Sequence, residues 1–323
     1  MSGRLVAVAW SRFQPRTLAL AEELGGEALF ISPRRGGAIS ALPPVRYARA
    51  AVSTWRLLER KRPRAVVAIS PPVFLPLVAW LWCRARRGRF VVDCHTSAFR
   101  SPKWAWTRPL HRWLARRAVA LTFHSEEILA QASGWRGRAL LLPDDVPAPR
   151  CGARTSGRLR LVVAGSLDSR EPVAEALAAA ALLPEVEWRF TGNADALPGR
   201  ARSSAPANAV FTGWLDYDDF MTEIVGADVV AAFSSDPEIM NRAAFEAVGV
   251  GRPLVLSDLP GLRARFGDAA LFCANEPAAM AAAVAAALAA AAELERRSLR
   301  LRRRLQAMHE AGLEQLVSVL GNA

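Results

Sequence analysis

The chain has 323 residues, 52% hydrophobic and 22% charged, a globular composition that excludes a disordered chain and provides for two ordinary domains or one large one. Cys83, Cys94, Cys151 and Cys273 are too few and too scattered for a disulfide framework. They include no CxxC pair for a structural zinc site, and they fit a reducing compartment. The net charge of +12 is uneven: residues 1–150 hold 25 Lys+Arg against 9 Asp+Glu, a balance of +16, and residues 151–323 hold 17 against 21, a balance of −4. Only Lys61 and Lys103 are lysines, and an arginine bias of that kind inflates the pI without creating an asymmetry between halves. A basic half suits an anionic partner: phosphates, acidic lipid headgroups or nucleic acid.

The first apolar run, Leu5 to Trp10, reads as a strand and is too brief for the core of a secretory signal. Strands follow at Ala28–Ile31, Ala65–Ile69, Phe90–Asp93, Ala118–Thr122 and Ala139–Leu142, with helices such as Thr17–Leu24 and Tyr47–Lys61 between them. They are unbroken apolar runs, as expected of strands buried on both faces of a parallel sheet. The eleven-residue run Val73–Cys83 contains Pro76 and falls short of the roughly 20 apolar residues that span a bilayer. The stretch from Pro147 to Gly157, rich in Pro and Gly, reads as an interdomain linker.

The alternation then restarts. Strands are expected at Leu159–Ala164, Trp188–Thr191, Ala209–Phe211, Val229–Phe233 and Leu254–Ser257, and helices at Val173–Leu183, Asp218–Val225 and Arg242–Val248. Two long helices, Pro277–Arg304 and Gln306–Leu320, close the chain, and the alanine-rich run Ala278–Ala292 reads as part of a soluble helix. The expected fold is α/β: two doubly wound, Rossmann-like parallel sheets facing a central cleft. The expected division is an N-terminal domain over 1–148, a linker over 149–158, a C-terminal domain over 159–305, and a final helix over 306–323 packing back on the first domain.

The most informative stretch runs from Ser234 to Asp258. Glu238 falls in the loop after strand Val229–Phe233, and Glu246 lies eight residues on, inside the next helix. Asn241 is a suitable N-cap and Gly249 a suitable C′ residue. A helix starting there aims free N–H groups at a phosphate, and Glu246, about one turn in, can reach a ribose diol. Here the sequence resembles the GT-B glycosyltransferases, specifically the retaining, family 4-like type with two glutamates separated by seven residues. Glu238, Glu246, Ala247, Gly251, Pro253 and the strand Leu254–Leu256 match, with Asn241 where the family usually has glycine. Upstream, Phe211-Thr212-Gly213-Trp214, helix Asp218–Val225 and Ala227-Asp228-Val229-Val230 follow the family's order.

The resemblance implies a nucleotide-sugar donor. Glu238 would hydrogen-bond the donor sugar, Glu246 would hold the ribose, and the backbone at Ile239, Met240 and Asn241, with Arg242, would hold the diphosphate. Gly165, Ser166, Arg170, Thr191 and Gly213 would complete the donor side. His95, in Val91-Val92-Asp93-Cys94-His95, matches the histidine that faces the donor sugar from the family's N-terminal domain. The departing phosphate oxygen would take the acceptor proton, so neither a protein nucleophile nor a metal or other cofactor is expected.

Two departures stand out. The turn Trp10-Ser11-Arg12-Phe13-Gln14-Pro15-Arg16 lacks the family's glycine pair, and its arginines Arg12 and Arg16 would suit an anionic acceptor. The segment Gly165-Ser166-Leu167-Asp168-Ser169-Arg170-Glu171-Pro172 keeps the glycine but lacks the family's Arg and Lys, for which Arg170 and Arg242 would substitute.

Residues 101–117 interleave Trp104, Trp106 and Trp113 with Lys103, Arg108, Arg112, Arg116 and Arg117, and Trp80 and Trp82 precede Arg84, Arg86, Arg87 and Arg89. Three readings stay open: a membrane interface, stacking on single-stranded nucleic acid, and ordinary helices with tryptophans partly in the core. No nucleic-acid module motif accompanies them. The leading expectation is a cytoplasmic transferase, peripheral on an anionic membrane, with a sugar or lipid-linked acceptor and no nucleic acid partner. The alternative is a non-catalytic GT-B scaffold or partner subunit. His111 and His309 read as helix residues and His124 as the turn before helix Ser125–Ala132.

Overall fold

The computed structural model describes residues 5–32, 43–146, 157–197, 202–237 and 241–322. Two compact units result: Met1–Asp145 with Ala307–Ala323, and Val146–Gln306. The expected linker, as far as residue 156, lies outside the described residues, as do Glu238, Ile239 and Met240.

The first unit runs β1 (Leu5–Ala9), α1 (Pro15–Glu23), β2 (Glu27–Phe30), α2 (Pro43–Lys61), β3 (Ala65–Ser70), α3 (Phe74–Arg86) and β4 (Arg89–Cys94). Three short helices follow, α4 (Ser97–Arg100), α5 (Pro102–Ala105) and α6 (Arg108–Ala115), then β5 (Ala120–Phe123), α7 (Glu126–Gln131) and β6 (Ala139–Leu141). All six strands are parallel, in the order β2-β1-β3-β4-β5-β6. Every residue of β1, β3 and β5 is buried, which is why they read as continuous apolar runs.

The second unit runs β7 (Arg160–Val163), α8 (Val173–Leu182), β8 (Glu187–Thr191), β9 (Ala209–Gly213), α9 (Tyr217–Gly226), β10 (Val229–Ala232), α10 (Arg242–Gly249) and β11 (Leu254–Ser257). It continues with α11 (Pro260–Phe266), β12 (Ala270–Cys273), α12 (Pro277–Ala289) and α13 (Ala291–Asn322). Its parallel sheet has the order β12-β11-β10-β7-β8-β9. The strand order reverses between β1 and β3 in the first sheet and between β7 and β10 in the second. Doubly wound sheets bind ligands at the carboxyl ends of the strands at such points.

Three local readings need correction. The α11–β12 pair was not expected: β12 is a four-residue edge strand with Leu271 and Phe272 only half-buried, too short and too exposed to stand out. Gly249 is the last helical residue of α10, and the left-handed position falls to Gly251 (φ 74°). The N–H groups of Gly251 and Arg252 donate to the carbonyls of Val248 and Ala247, closing a Schellman motif around Gly251.

The third correction concerns the closing helices. Their break falls at Ala290, fifteen residues before the expected one, where the chain bends by 88°. Alanine favours helix everywhere, so nothing local marks that point. Packing sets it: Met280, Ala281, Val284 and Ala287 enter the core beneath α8, and Leu294 returns to the same core one turn into α13. Leu305, the expected break, is fully buried inside α13. Among the described residues no single helix is long and apolar enough to cross a membrane.

α13 contributes to both units, through Gln306 to the second and from Ala307 to the first. In the first unit Leu316, Val319 and Leu320 share a core with Leu5, Ala7, Leu20, Leu140 and Leu142. Gly312 lies so close to β6 that a Cβ there would stand 2.4 Å from the Leu141 carbonyl oxygen. His309 Nδ1 donates to the Pro143 carbonyl at 2.8 Å, and Nε2 meets the Glu23 carboxylate at 2.9 Å.

Candidate functional site

At the carboxyl edge of the first sheet, β4 delivers Asp93 and then His95. Asp93 is 1% exposed and accepts hydrogen bonds from Arg16 Nε and Nη2 at 3.0 Å and from the Thr122 hydroxyl at 2.7 Å. Arg16 also donates to Asp144 at 2.9 Å and to the Leu142 carbonyl at 2.8 Å. Burial opposes the charge on Arg16, but Asp93 and Asp144 outweigh it and raise its pKa. Burial likewise opposes the charge on Asp93, and Arg16 and His95 hold its carboxyl far below the ordinary range. Arg16, expected to meet an anionic acceptor, is thus engaged by the chain's own carboxylates. Arg12 stays exposed beside a cavity of about 360 Å³ that it lines with Ser11, Phe30 and Ser32.

His95 Nε2 lies 3.3 Å from Asp93 Oδ2 and 3.1 Å from the Gln14 side-chain nitrogen. One ring nitrogen cannot serve both: protonated, Nε2 donates to Asp93, and unprotonated, it accepts from Gln14. Gln14 is itself held as the N-cap of α1, its side-chain oxygen accepting from the Thr17 N–H at 2.7 Å. His124, read from sequence as a bystander, lies with its ring 6.2 Å from that of His95 and its Nε2 2.7 Å from the Thr96 hydroxyl. Burial lowers the pKa of His124 to about 4, so its ring is neutral at pH 7.

At the carboxyl edge of the second sheet, the β7–α8 loop forms a tight turn. Leu167 takes a left-handed backbone (φ 60°), a non-glycine rarity. Glu171 folds back onto this turn: Oε1 accepts from the Ser166 N–H at 3.0 Å and hydroxyl at 3.1 Å, and Oε2 from the Leu167 N–H at 2.8 Å. Thr191 closes the other side, its hydroxyl oxygen 3.1 Å from the Gly165 N–H. Gly192 packs so tightly on Ser166 that a Cβ would stand 2.6 Å from its carbonyl carbon. Arg170, expected to hold a diphosphate, is folded onto Asp168 at 2.5 Å, and that contact lowers the Asp168 carboxyl to about 2.

The Arg170 carbonyl accepts from the Ser235 N–H at 2.7 Å, tying this loop to the one that leaves β10. There the Ser234 N–H donates to the Ser257 hydroxyl oxygen, which donates to Asn275 at 2.6 Å; the Asn275 amide returns to the Ser234 carbonyl at 2.9 Å. The loop thus leaves β10 along a fixed path. Asn241 caps α10 by accepting from the Ala243 N–H at 3.1 Å. Glu246 is 3% exposed, and its Oε1 stands 3.4 Å from Arg242 Nε, one turn back along α10. Gly213 takes a left-handed backbone as the last residue of β9, followed by Trp214, which is 76% exposed.

Of the expected donor-side residues, the structure brings Gly165, Ser166 and Thr191 together in one hydrogen-bonded turn, ties Arg170 to Ser235, and sets Asn241, Arg242 and Glu246 along α10. The partners that sequence reasoning missed are Gln14 and Thr122 around His95 and Asp93, His124, and Glu171. Only Gln14, as an N-cap before a helix, left a local signal. Among the described residues no group of three or more His, Cys, Asp or Glu is placed to hold a metal ion.

Residues 158–290 match the family model described as glycosyl transferases group 1. No curated protein matches the sequence. Solved structures match along the whole chain. Sucrose-phosphate synthase from Thermosynechococcus elongatus is 15% identical, with TM-score 0.72 over 99% of this chain and 98% of that one. HepE from Anabaena, in complex with UDP and glucose, is 14% identical, with TM-score 0.67 over 99% and 100%. A glycosyltransferase from Rickettsia africae is 12% identical, with TM-score 0.73 over the full length of both. At these identities the likeness establishes the fold, which is GT-B.

Proposed function

We propose, from the GT-B fold and the group 1 segment, that this chain is a glycosyltransferase moving a sugar from a nucleotide-sugar donor to an acceptor with retention, in glycan, polysaccharide or glycolipid biosynthesis. The observation that carries the proposal is Glu246, a carboxylate buried one turn inside α10 beside Arg242, in the segment that matches the family. A charged group is seldom buried without a partner or a task. The donor class is supported by HepE, whose structure contains UDP and glucose, and by the E. coli trehalose-6-phosphate structure bound with UDP-2-fluoro glucose.

In this reading Glu246 holds the ribose, and Glu238 and His95 act on the sugar. Arg242 and the α10 N–H groups stabilise the leaving diphosphate, with no metal ion required. The departing phosphate oxygen takes the acceptor proton. The basic first unit serves the acceptor, a lipid-linked sugar at an anionic membrane, with the protein peripheral on the cytoplasmic face. The exposed Trp106 and the Arg117 guanidinium, stacked 3.7 Å from the Trp113 ring, support that assignment. Trp104 and Trp82 are buried and belong to the fold.

A thermal-shift screen against nucleotide sugars, followed by product analysis at the anomeric carbon, tests the reading. Saturable stabilisation by one donor and an unchanged anomeric configuration are expected. Liposome sedimentation tests the membrane assignment: Arg112, Arg116 and Arg117 reversed together to Glu should release the protein from anionic vesicles. One observation favours the scaffold alternative: the β7–α8 loop carries its own anion, Glu171, and keeps Arg170 on Asp168. A scaffold shows no saturable donor binding in the same screen.

A further inference from the structure

We infer that the amino edge of the first sheet holds a second anion site, suited to a ligand phosphate bearing two or more negative charges. A cavity of about 870 Å³ opens where β1, β3 and β4 begin, the sheet edge opposite His95. Its size is that of a small-molecule site. Five arginines line it: Arg62, Arg64, Arg86, Arg87 and Arg89. Among the described residues the one carboxylate in its wall, Glu23, is already engaged by His309.

Arginines at helix ends have an ordinary explanation, because α1, α2 and α3 all end here and a helix C-terminus attracts cations. That explanation is too small. Each helix end carries only about half a negative charge. Glu59 takes Arg86 through Nε at 2.9 Å and Nη2 at 3.0 Å. Arg89 donates to the Leu320 carbonyl near the end of α13. Arg64 and Arg87 have no carboxylate within ion-pair distance among the described residues, and guanidinium charge is left over.

The backbone carries a second sign. Arg62 (φ 45°) and Arg87 (φ 55°) close α2 and α3 in the left-handed conformation, where glycine is the low-cost residue. Long cations stand at both positions. The floor is apolar, with Leu5, Leu24 and Leu320 in the lining. Guanidinium groups around a partly apolar recess match phosphate oxygens through paired N–H donors. Inorganic diphosphate and the phosphomonoester headgroup of a lipid share that chemistry. An occupant would bear on Arg89 and Leu320, and so on the docking of the last turns of α13. The site is separate from the donor side, to which none of its residues belongs.

Calorimetric titration of the full-length protein with inorganic pyrophosphate at low salt tests the inference. Saturable binding is expected in the wild type and in Arg242→Ala, which lacks the donor-side diphosphate contact, with at least a tenfold loss when Arg64→Glu and Arg87→Glu are added to Arg242→Ala. Both side chains are exposed, and Arg64→Gln, Arg87→Gln replaces the pair if the reversal disturbs folding. Arg112→Glu with Arg116→Glu removes the same charge elsewhere and should leave pyrophosphate binding intact. Hydrogen exchange over residues 307–321 should slow on binding. Vesicles of phosphatidic acid, compared with phosphatidylcholine, identify the source: vesicle binding that also depends on Arg64 and Arg87 assigns a headgroup, and pyrophosphate binding alone assigns a soluble ligand. Absence of both, or pyrophosphate binding in the Arg242→Ala background that survives the Arg64/Arg87 changes or falls equally in the Arg112/Arg116 control, overturns the proposal.

Discussion

The Glu171 carboxylate sits on Ser166, accepting from both its backbone N–H and its hydroxyl within 3.1 Å. With the Leu167 N–H on the other oxygen, the turn after β7 is an anion seat filled from within the chain. Glu171→Ala empties that seat. Its affinity for a nucleoside diphosphate should rise roughly tenfold, about 1.4 kcal/mol, while affinity for the nucleoside stays unchanged. Titration of wild type and variant with UDP, other nucleoside diphosphates and their nucleosides measures the difference. Weaker diphosphate binding in the variant would mean that Glu171 only braces the loop.

Glu246 is buried beside Arg242, so alanine there would remove an ion-pair partner as well as a ligand contact. Glu246→Gln keeps the shape and removes the charge. Donor affinity should fall by about 1.5–3 kcal/mol, the worth of a charge-assisted hydrogen bond, with a smaller change in the unfolding midpoint. A folded variant with unchanged donor affinity rejects the ribose role.

Asp93 neutralises Arg16 in the interior and orients His95. Asp93→Asn leaves the buried guanidinium with Asp144 as its remaining anion and should cost about 3–5 kcal/mol of stability by urea unfolding. Thr122→Val, which removes a single neutral donor to the same carboxylate, should cost only about 1 kcal/mol. Equal losses in the two variants would show that the charge pair is not what holds this site.

His309 gives a pH signature. Burial opposes its charge, but hydrogen bonds to Glu23 and to the Pro143 carbonyl prevail and raise its pKa above the ordinary value. A raised pKa in the folded state adds stability that is complete below the unfolded value, about 6.5, and is lost as pH rises through the folded value. The destabilisation by His309→Gln should therefore be largest near pH 6 and shrink in alkali. Buried His111 and His124, both lowered to about 4, work in the opposite direction but are common to both proteins and cancel in the difference. A penalty that grows with pH would contradict the assignment.

The fold was legible where the sequence writes burial directly. Leu5–Ala9 and Val229–Ala232 are apolar on both faces because both faces are covered. The bend at Ala290 was not legible, since every residue around it favours helix and the decision is made by a core some distance away. The site was legible where a side chain's place follows from its own element, as for Asn241 capping α10. It was illegible where a long-range partner decides. Arg16 looks like a free cation until Asp93, 77 residues on, is folded against it. Glu171 looks solvated until the turn at Leu167 points two N–H groups at it.

Because α13 belongs to both units, order of synthesis and order of completion are opposed. The first unit emerges from the ribosome early, with Leu5, Ala7, Leu140 and Leu142 exposed. It cannot cover them until Leu316, Val319 and Leu320, made after the whole of the second unit, arrive. A nascent chain halted after the second unit's core therefore carries a bare apolar face, and a fragment cut in the Pro/Gly-rich stretch between the units should be prone to aggregate. A holding chaperone, or a separately supplied peptide spanning residues 307–322, is the natural remedy for such a fragment.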